Sequence, residues 1–271
     1  MQEKDLLKRI EAEPNNPEAL KEAGNFYYRN EDYKKALEFY KKSLEIDPKF
    51  IKSIYNIGNT YYKLNDIDEA ISWWEKALEI NPNHLRSHHN LGEAFYYQNK
   101  NDLAIESYKK VLEINPHHID TLTDLALVYY DSGEYDDAIA LYEQALKINP
   151  NDPDIHYNLA NAYYDSYKYD DAIVEYTSVT RLNPEDAIAY NNLADCFLQK
   201  NQHDKALEYI DKALSINPSL PAAHCTRGEV YISLNDKINA KKSLKKVIQL
   251  AKHNDMLSRY AKNLIRELEK K

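Results

Sequence analysis

The stretch "NIGNTYYKLNDIDEAISWWEKALEINP", residues 56–82, decides the fold. Ile57, Gly58 and Tyr61 fall on one face of a helix, and Asn56, Asn59 and Tyr62 fall on another. Asparagine is a mediocre helix former, yet close variants return as "HNLGEAFY" (89–96), "YNLANAYY" (157–164) and "NNLADCFL" (191–198). The closing Pro82 returns as well. Pro14, Pro48, Pro82, Pro116, Pro150, Pro184 and Pro218 are each 34 residues apart. Pro17, Pro153 and Pro221 each follow one of these by three residues, so every proline falls at one junction. Proline is tolerated in the first turn of a helix and not in its interior, so these junctions separate helices.

Two further registers share the period. Ala36, Ala70, Ala104, Ala138, Ala172, Ala206 and Ala240 are 34 apart. Gly24, Gly58, Gly92 and Gly228 occupy a second place, filled by Ala126, Ala160 and Ala194 in the other copies. A mid-helix glycine costs ~1 kcal/mol against alanine, so small residues at fixed places imply helices whose axes approach closely. With the recurring proline at place 32, seven copies cover 17–50, 51–84, 85–118, 119–152, 153–186, 187–220 and 221–254. In the fourth, Leu122, Leu125, Ala126 and Tyr129 form one amphipathic run and Ala138, Leu141, Tyr142 and Ala145 a second. The polar turn "DSGEY" (131–135) lies between them. Each copy is expected to be a helical hairpin.

This pattern resembles the tetratricopeptide repeat, with its Leu-Gly-x-x-Tyr, Ala-x-x-x-Phe and terminal Pro places. The resemblance covers residues 17–254. The family's Trp slot at place 4 holds Leu20, Ile54, His88, Leu122, His156, Tyr190 and His224 instead. The resemblance implies an all-α, right-handed superhelical α-solenoid of seven hairpins. At the front, Leu6, Leu7 and Ile10 resemble the second helix of an incomplete repeat, making residues 1–16 an N-terminal half-repeat or cap. At the back, repeat 7 has Arg227 at the usual Leu place and Lys252 at the proline place. Met256, Leu257, Tyr260, Ala261, Leu264, Ile265 and Leu268 then form one apolar face, as a capping helix over 255–271 requires.

The family places the first helix of each pair on the concave face, so that places 2, 5, 6, 9, 12 and 13 point into a groove. Place 6 carries Asn56, Asn90, Asp124, Asn158 and Asn192, and place 9 carries Asn25, Asn59 and Asn161. Place 12 carries Tyr62, Tyr96, Tyr130 and Tyr164. Amides both donate and accept, and a row of them suits the backbone of an extended peptide. Tyrosine adds a rigid apolar plate with a polar tip. Within the family, an asparagine row of this kind grips extended protein substrates, and a Lys/Asn/Asn/Lys/Arg set clamps acidic C-terminal tails. Lys21, Asn25 and Asn56 match the first three clamp places; Arg86 replaces the second Lys, and Asn90 stands where the Arg belongs, which removes a bidentate carboxylate contact. The asparagines and tyrosines are also common in the average repeat, so partner contact and family background both stand as readings. Lys21 and Arg86 are less usual at their places.

The 271 residues carry 35 Lys+Arg against 44 Asp+Glu, a net −9, which argues against a general nucleic-acid binder. The charge is graded. Residues 119–186 hold 15 acids against Lys147, Lys168 and Arg181, whereas residues 237–271 hold 11 Lys+Arg against 3 acids. The grading suits either solvated faces or a polarised groove that favours basic partner segments in repeats 4 and 5. Acidic middle against basic tail is also the pattern of head-to-tail self-assembly. The longest apolar run is "LALVYY" (125–130), well short of the roughly 20 residues of a membrane helix. With a charged beginning, no apolar leader and two cysteines, a cytoplasmic location is the default expectation.

His84 and His88 are spaced as a possible metal pair, but His88 shares its place with His156 and His224, which favours packing between helices. Cys196 and Cys225 have no organised base beside them, and Asp120/Asp124 is most simply a solvated helix face. No phosphate loop, zinc-protease motif or nucleophile elbow occurs. The expectation is one repeat domain without catalytic, cofactor or metal residues. It serves as a protein-interaction adaptor or scaffold that takes a peptide or partner helix. A self-assembling scaffold and a recruiting subunit of a separate enzyme are the alternatives.

Overall fold

The computed structural model describes residues 3–251 and 256–270, and these form sixteen α-helices with no strand among them. In chain order they are α1 (Glu3–Ala12), α2 (Pro17–Arg29), α3 (Tyr33–Ile46), α4 (Ile51–Lys63), α5 (Ile67–Ile80), α6 (Leu85–Tyr97), α7 (Asn101–Ile114) and α8 (Ile119–Asp131). There follow α9 (Tyr135–Ile148), α10 (Pro153–Asp165), α11 (Tyr169–Leu182), α12 (Ala187–Gln199), α13 (His203–Ile216), α14 (Pro221–Ser233), α15 (Lys237–Leu250) and α16 (Met256–Lys270). The chain divides into two compact units, Met1–Val128 and Tyr129–Lys271. In each unit a helix packs mainly on its hairpin partner and on the start of the next hairpin, the nearest-neighbour pattern of stacked repeats.

The period explains the helix ends. Pro17, Pro153 and Pro221 open their helices at the first turn, where a missing N–H is harmless. Asn16, Asp152 and Asp186 cap theirs, Asn16 accepting from Glu18 N at 2.9 Å and Asp186 from Ile188 N at 2.9 Å. Before four of the hairpins an Asx turn reverses the chain: Asp47, Asn81, Asn115 and Asn217 accept from the amide two residues on, at 3.0–3.1 Å. Within each hairpin the reversal needs a left-handed residue at place 15. It is Glu31, Asn65, Asn99, Gly133, Tyr167, Asn201 and Asn235 in turn. Glycine adopts that conformation freely and asparagine tolerates it better than most side chains, so five of the seven follow local preference.

The core is set by two places. The seven period alanines are fully buried. Facing the small place is a large side chain at place 24: Tyr40, Trp74, Tyr108, Tyr142 and Tyr176, then Ile210 and Leu244. A Cβ on Gly58 would lie 2.5 Å from Trp74 Nε1, and one on Gly92 would lie 2.5 Å from Tyr108 Cε1. The glycine thus admits an aromatic ring across the helix, a more specific reason than close axes alone.

Helices α1 and α16 flank the seven hairpins. Leu6 is buried in α1, and Arg9 pairs with Glu22 of α2. The side chain of Leu7 and the whole of Lys252 lie outside the described residues. In α16, Leu257, Leu264, Ile265 and Leu268 pack with buried Ala261 against Cys225, Leu244 and Val247. Met256 departs from the expected apolar face and is 77% exposed, because it begins the helix. Tyr260 turns its hydroxyl to Glu229, 2.7 Å away. Among the described residues no helix is long and apolar enough to cross a membrane.

Candidate functional site: the first-helix row and its two pockets

The asparagine rows are joined to each other. In the first unit, Asn25 Oδ1 accepts from the Tyr40 hydroxyl at 2.8 Å and from Asn56 Nδ2 at 2.8 Å. One hairpin on, Asn59 Oδ1 accepts from Trp74 Nε1 at 3.0 Å and from Asn90 Nδ2 at 2.9 Å. Asn90 Nδ2 also reaches the Tyr55 hydroxyl at 3.2 Å. The aromatic that crosses the glycine therefore ends on an asparagine, and that asparagine bridges to the next hairpin. In the second unit the Tyr176 hydroxyl donates to Asn161, and Asn192 Nδ2 donates to the Tyr157 hydroxyl at 3.0 Å. Asn158 is half-buried and makes no amide bond among the described residues.

Each bridge leaves groups over. Asn25 and Asn59 spend their oxygens and keep their Nδ2 donors, while Asn56 and Asn90 spend their nitrogens and keep their Oδ1 acceptors. The rows belong to the frame and still present one donor and one acceptor per bridge.

The tyrosines at place 12 reach forward to acids. Tyr62 donates to Glu93 at 2.9 Å, Tyr164 to Asp195 at 2.8 Å, and Tyr130 to Asp165. Burial first, and the Glu93 bond after it, push the Tyr62 hydroxyl up to about 12, so it stays a donor. Tyr130 and Tyr164 are raised in the same way. Tyr96 is half-buried on α6 beside Tyr108.

Lys21 is held at 2.5 Å by Glu18, which also takes Lys52 at 3.0 Å. Those two lysines lower the Glu18 carboxyl below its usual range. Arg86 is exposed and has no ion pair among the described residues. Asp124 lies 3.7 Å from His89 Nε2. Burial first, then the charges of Glu93 and Asp120, push Asp124 up to about 6. His89 also meets Thr121 at 2.9 Å.

Two pockets form at matching repeat places. The first, about 230 Å³, is lined by Asn25, Tyr28, Arg29, Tyr40, Asn56 and Asn59. The second, about 250 Å³, is lined by Tyr130, Asn161, Tyr164, Asp165, Tyr176, Asn192 and Asp195. Place 13 is Arg29 in one and Asp165 in the other; the next place 9 is Asn59 in one and Asp195 in the other. The sequence places Arg29 and Asp165 at groove positions beside the asparagines, but not Asp195, which the structure adds as a pocket partner. Its spacing from the asparagines was the available signal.

The remaining candidates have structural partners. His88 and His156 donate through Nε2 to the carbonyls of Pro82 and Pro150, at 2.8 and 3.1 Å. Cys196 and Cys225 are buried, and burial pushes both thiols up to about 12. No three histidine, cysteine or acidic residues gather in a metal-binding group among the described residues.

Comparison with known proteins agrees with this architecture. Family descriptions of the tetratricopeptide repeat match residues 51–117, 95–141, 159–221 and 221–254, and a TPR repeat description matches 24–65 and 126–166. The fold is similar to the C-terminal part of a TPR repeat-containing protein from Cytophaga hutchinsonii, at 20% identity and TM-score 0.73, covering 88% of this chain and 97% of that one. It is similar to YrrB, described as a TPR protein with an unusual peptide-binding site, at 22% identity and TM-score 0.62, covering 68% and 95%. It is also similar to MamA, at 26% identity and TM-score 0.58, covering 60% and 95%. A comparison with curated proteins gave no match. The repeat is in general a protein–protein interaction scaffold. With matches running unbroken from residue 24 to 254 over hairpins of one 34-residue period, the chain belongs to the tetratricopeptide repeat family.

Proposed function

We propose that this chain is a non-enzymatic adaptor that holds an extended polypeptide along its first helices, each unit choosing its segment by the charge of its pocket. The observation that carries this reading is the matched pair of pockets, built on one frame with Arg29 in one and Asp165 with Asp195 in the other. The spare donors of Asn25 and Asn59 and the spare acceptors of Asn56 and Asn90 suit a peptide backbone of any sequence. Exposed Arg86 adds a positive charge at the rim of the first unit. The charges set which segment docks and how quickly; the amides supply the sequence-tolerant grip.

Fluorescence anisotropy of the full chain with a labelled lysine/glycine peptide and a labelled glutamate/glycine peptide tests it. Both peptides are expected to bind. Asp165→Asn with Asp195→Asn weakens the lysine peptide about tenfold and leaves the glutamate peptide unchanged. Equal loss for both peptides, or none for either, removes the charge-selecting groove as an explanation.

A further inference from the structure

Two hairpins of the second unit, α10–α11 and α14–α15, differ sharply at matching places outside the asparagine row. Where the first has Leu159, Val174, Glu175, Thr177 and Ser178, the second has Arg227, Lys242, Ser243, Lys245 and Lys246, each 68 residues on. Each hairpin also holds a histidine whose Nε2–H donates to the period proline's carbonyl, His156 to Pro150 and His224 to Pro218 at 3.0 Å. In the first, Glu175 faces that histidine's other nitrogen at 2.5 Å. In the second the acid is replaced by Ser243.

The positive charge at α14–α15 is compensated only in part. Helix α15, "KINAKKSLKKVIQL", has five lysines and no acid. Lys241 pairs with Glu269, but Lys242, Lys245 and Lys246 have no carboxylate in ion-pair range among the described residues. Arg227 stands where the period has leucine. Asp211 holds its terminal nitrogen, while its Nε–H is buried with no acceptor among the described residues. His224, Arg227, Tyr231, Lys242, Lys245 and Lys246 line a cavity of about 560 Å³, more than twice either groove pocket. A cluster of like charges destabilises the chain as it stands. One anion with several oxygens relieves it. A single carboxylate matches the guanidinium alone; a dianionic, tetrahedral oxyanion reaches the arginine and the lysines together.

We infer that the α14–α15 crevice binds a phosphate monoester, carried as a phosphorylated side chain on a partner polypeptide. The protein-interaction role of the repeat makes a polypeptide the carrier. Arg227 gives the directed contact, Lys242, Lys245 and Lys246 neutralise the charge, and Tyr231 offers a hydroxyl at the wall. His224 reports occupancy. Burial first, with the Arg227 and Lys246 charges, holds it below the ordinary histidine value, against the pull of the Pro218 carbonyl. A bound dianion reverses that balance, so His224 takes up a proton.

Calorimetric titration of the full chain tests this with one short glycine-rich peptide in three forms, carrying phosphoserine, glutamate or serine. The phosphoserine form is expected to bind at least about tenfold tighter than the glutamate form, and the His224 ring resonances to titrate at higher pH when it is bound. Arg227→Leu, Lys242→Val, Lys245→Thr and Lys246→Ser together give α14–α15 the α10–α11 side chains at those four places and abolish binding. Should that graft fail to fold, Lys245→Thr with Lys246→Ser alone weakens binding about tenfold. Equal affinity for the phosphoserine and glutamate forms overturns the inference, as does full binding by the paired variant. Tighter binding to phosphatidylcholine vesicles holding about one-fifth phosphatidic acid than to the phosphopeptide overturns the polypeptide carrier.

Discussion

The pocket around Arg29 and the pocket around Asp165 have the same floor. In each, a buried tyrosine from the second helix, Tyr40 or Tyr176, crosses a small residue and ends on an asparagine, Asn25 or Asn161. In each, a further tyrosine from the first helix stands at the wall, Tyr28 or Tyr164. The rims differ in sign. The difference teaches that the buried floor and the rim charge vary separately, since place 13 changes from Arg29 to Asp165 over the same tyrosine–asparagine floor. The first unit is not uniformly basic, however. Where its amide bridge should recur a third time, Asp124 stands at the asparagine place near Glu93.

The largest test of the comparison is to remove its common part. Tyr40→Ala and Tyr176→Ala are each expected to cost about 3–5 kcal/mol by denaturant unfolding, because each empties a buried site and removes a hydroxyl bond to an asparagine oxygen. If one costs less than half the other, the floors are not equivalent.

A smaller effect distinguishes the first unit by pH. The folded value of Asp124, about 6, lies above its ordinary 3.8, so the folded state keeps a proton that the unfolded chain has lost. Its contribution is therefore fully present below about pH 4 and is lost as pH rises to about 6. Asp124→Asn removes that slope and gains about 1 kcal/mol at neutral pH, discounted because the side chain is 41% exposed. A gain of the same size at acid pH means that packing, and not ionisation, is responsible.

The smallest effect separates bridged from unbridged asparagines. Asn56→Ala loses its bond to Asn25 and is expected to cost about 1 kcal/mol. Asn158→Ala breaks no bond and is expected to stay within about 0.5 kcal/mol of zero. Thermal melts of both variants decide it, and equal losses would show that the bridge contributes nothing.

Much of the fold was legible because it repeats. Proline, alanine and glycine each mark the 34-residue period, and helical spacing supplied the hairpins. The place-15 reversal was not read, although Asn65, Asn99, Asn201 and Asn235 share the period. Glu31 and Tyr167 obscured it, because neither side chain advertises a left-handed backbone. The groove was legible only as a set of rows. An asparagine on a helix face says nothing alone about whether its amide meets solvent or another amide. The sign lay in a second interval: the bridged pairs Asn25–Asn56 and Asn59–Asn90 are each 31 residues apart, although Asn161 and Asn192 share the interval and meet tyrosine hydroxyls instead. That is the distance from one place 9 to the next place 6. The pocket charges were visible one by one, but pairing Asp165 with Asp195 required the stacking of consecutive hairpins.

The amide bridges also act as mating edges. Hairpin α4–α5 carries Asn56 on the edge that faces back and Asn59 on the edge that faces forward. A tandem copy of residues 51–84 would meet itself with both edges matched, amide nitrogen to amide oxygen, so the array can lengthen there by one tile without orphaning a polar group. Excision of residues 85–118 has the opposite result. It would set Asn59, whose oxygen already faces Trp74, against Asp124, and an ionised carboxylate has no hydrogen to offer. The chemistry at the seams therefore governs where this array can gain or lose a module.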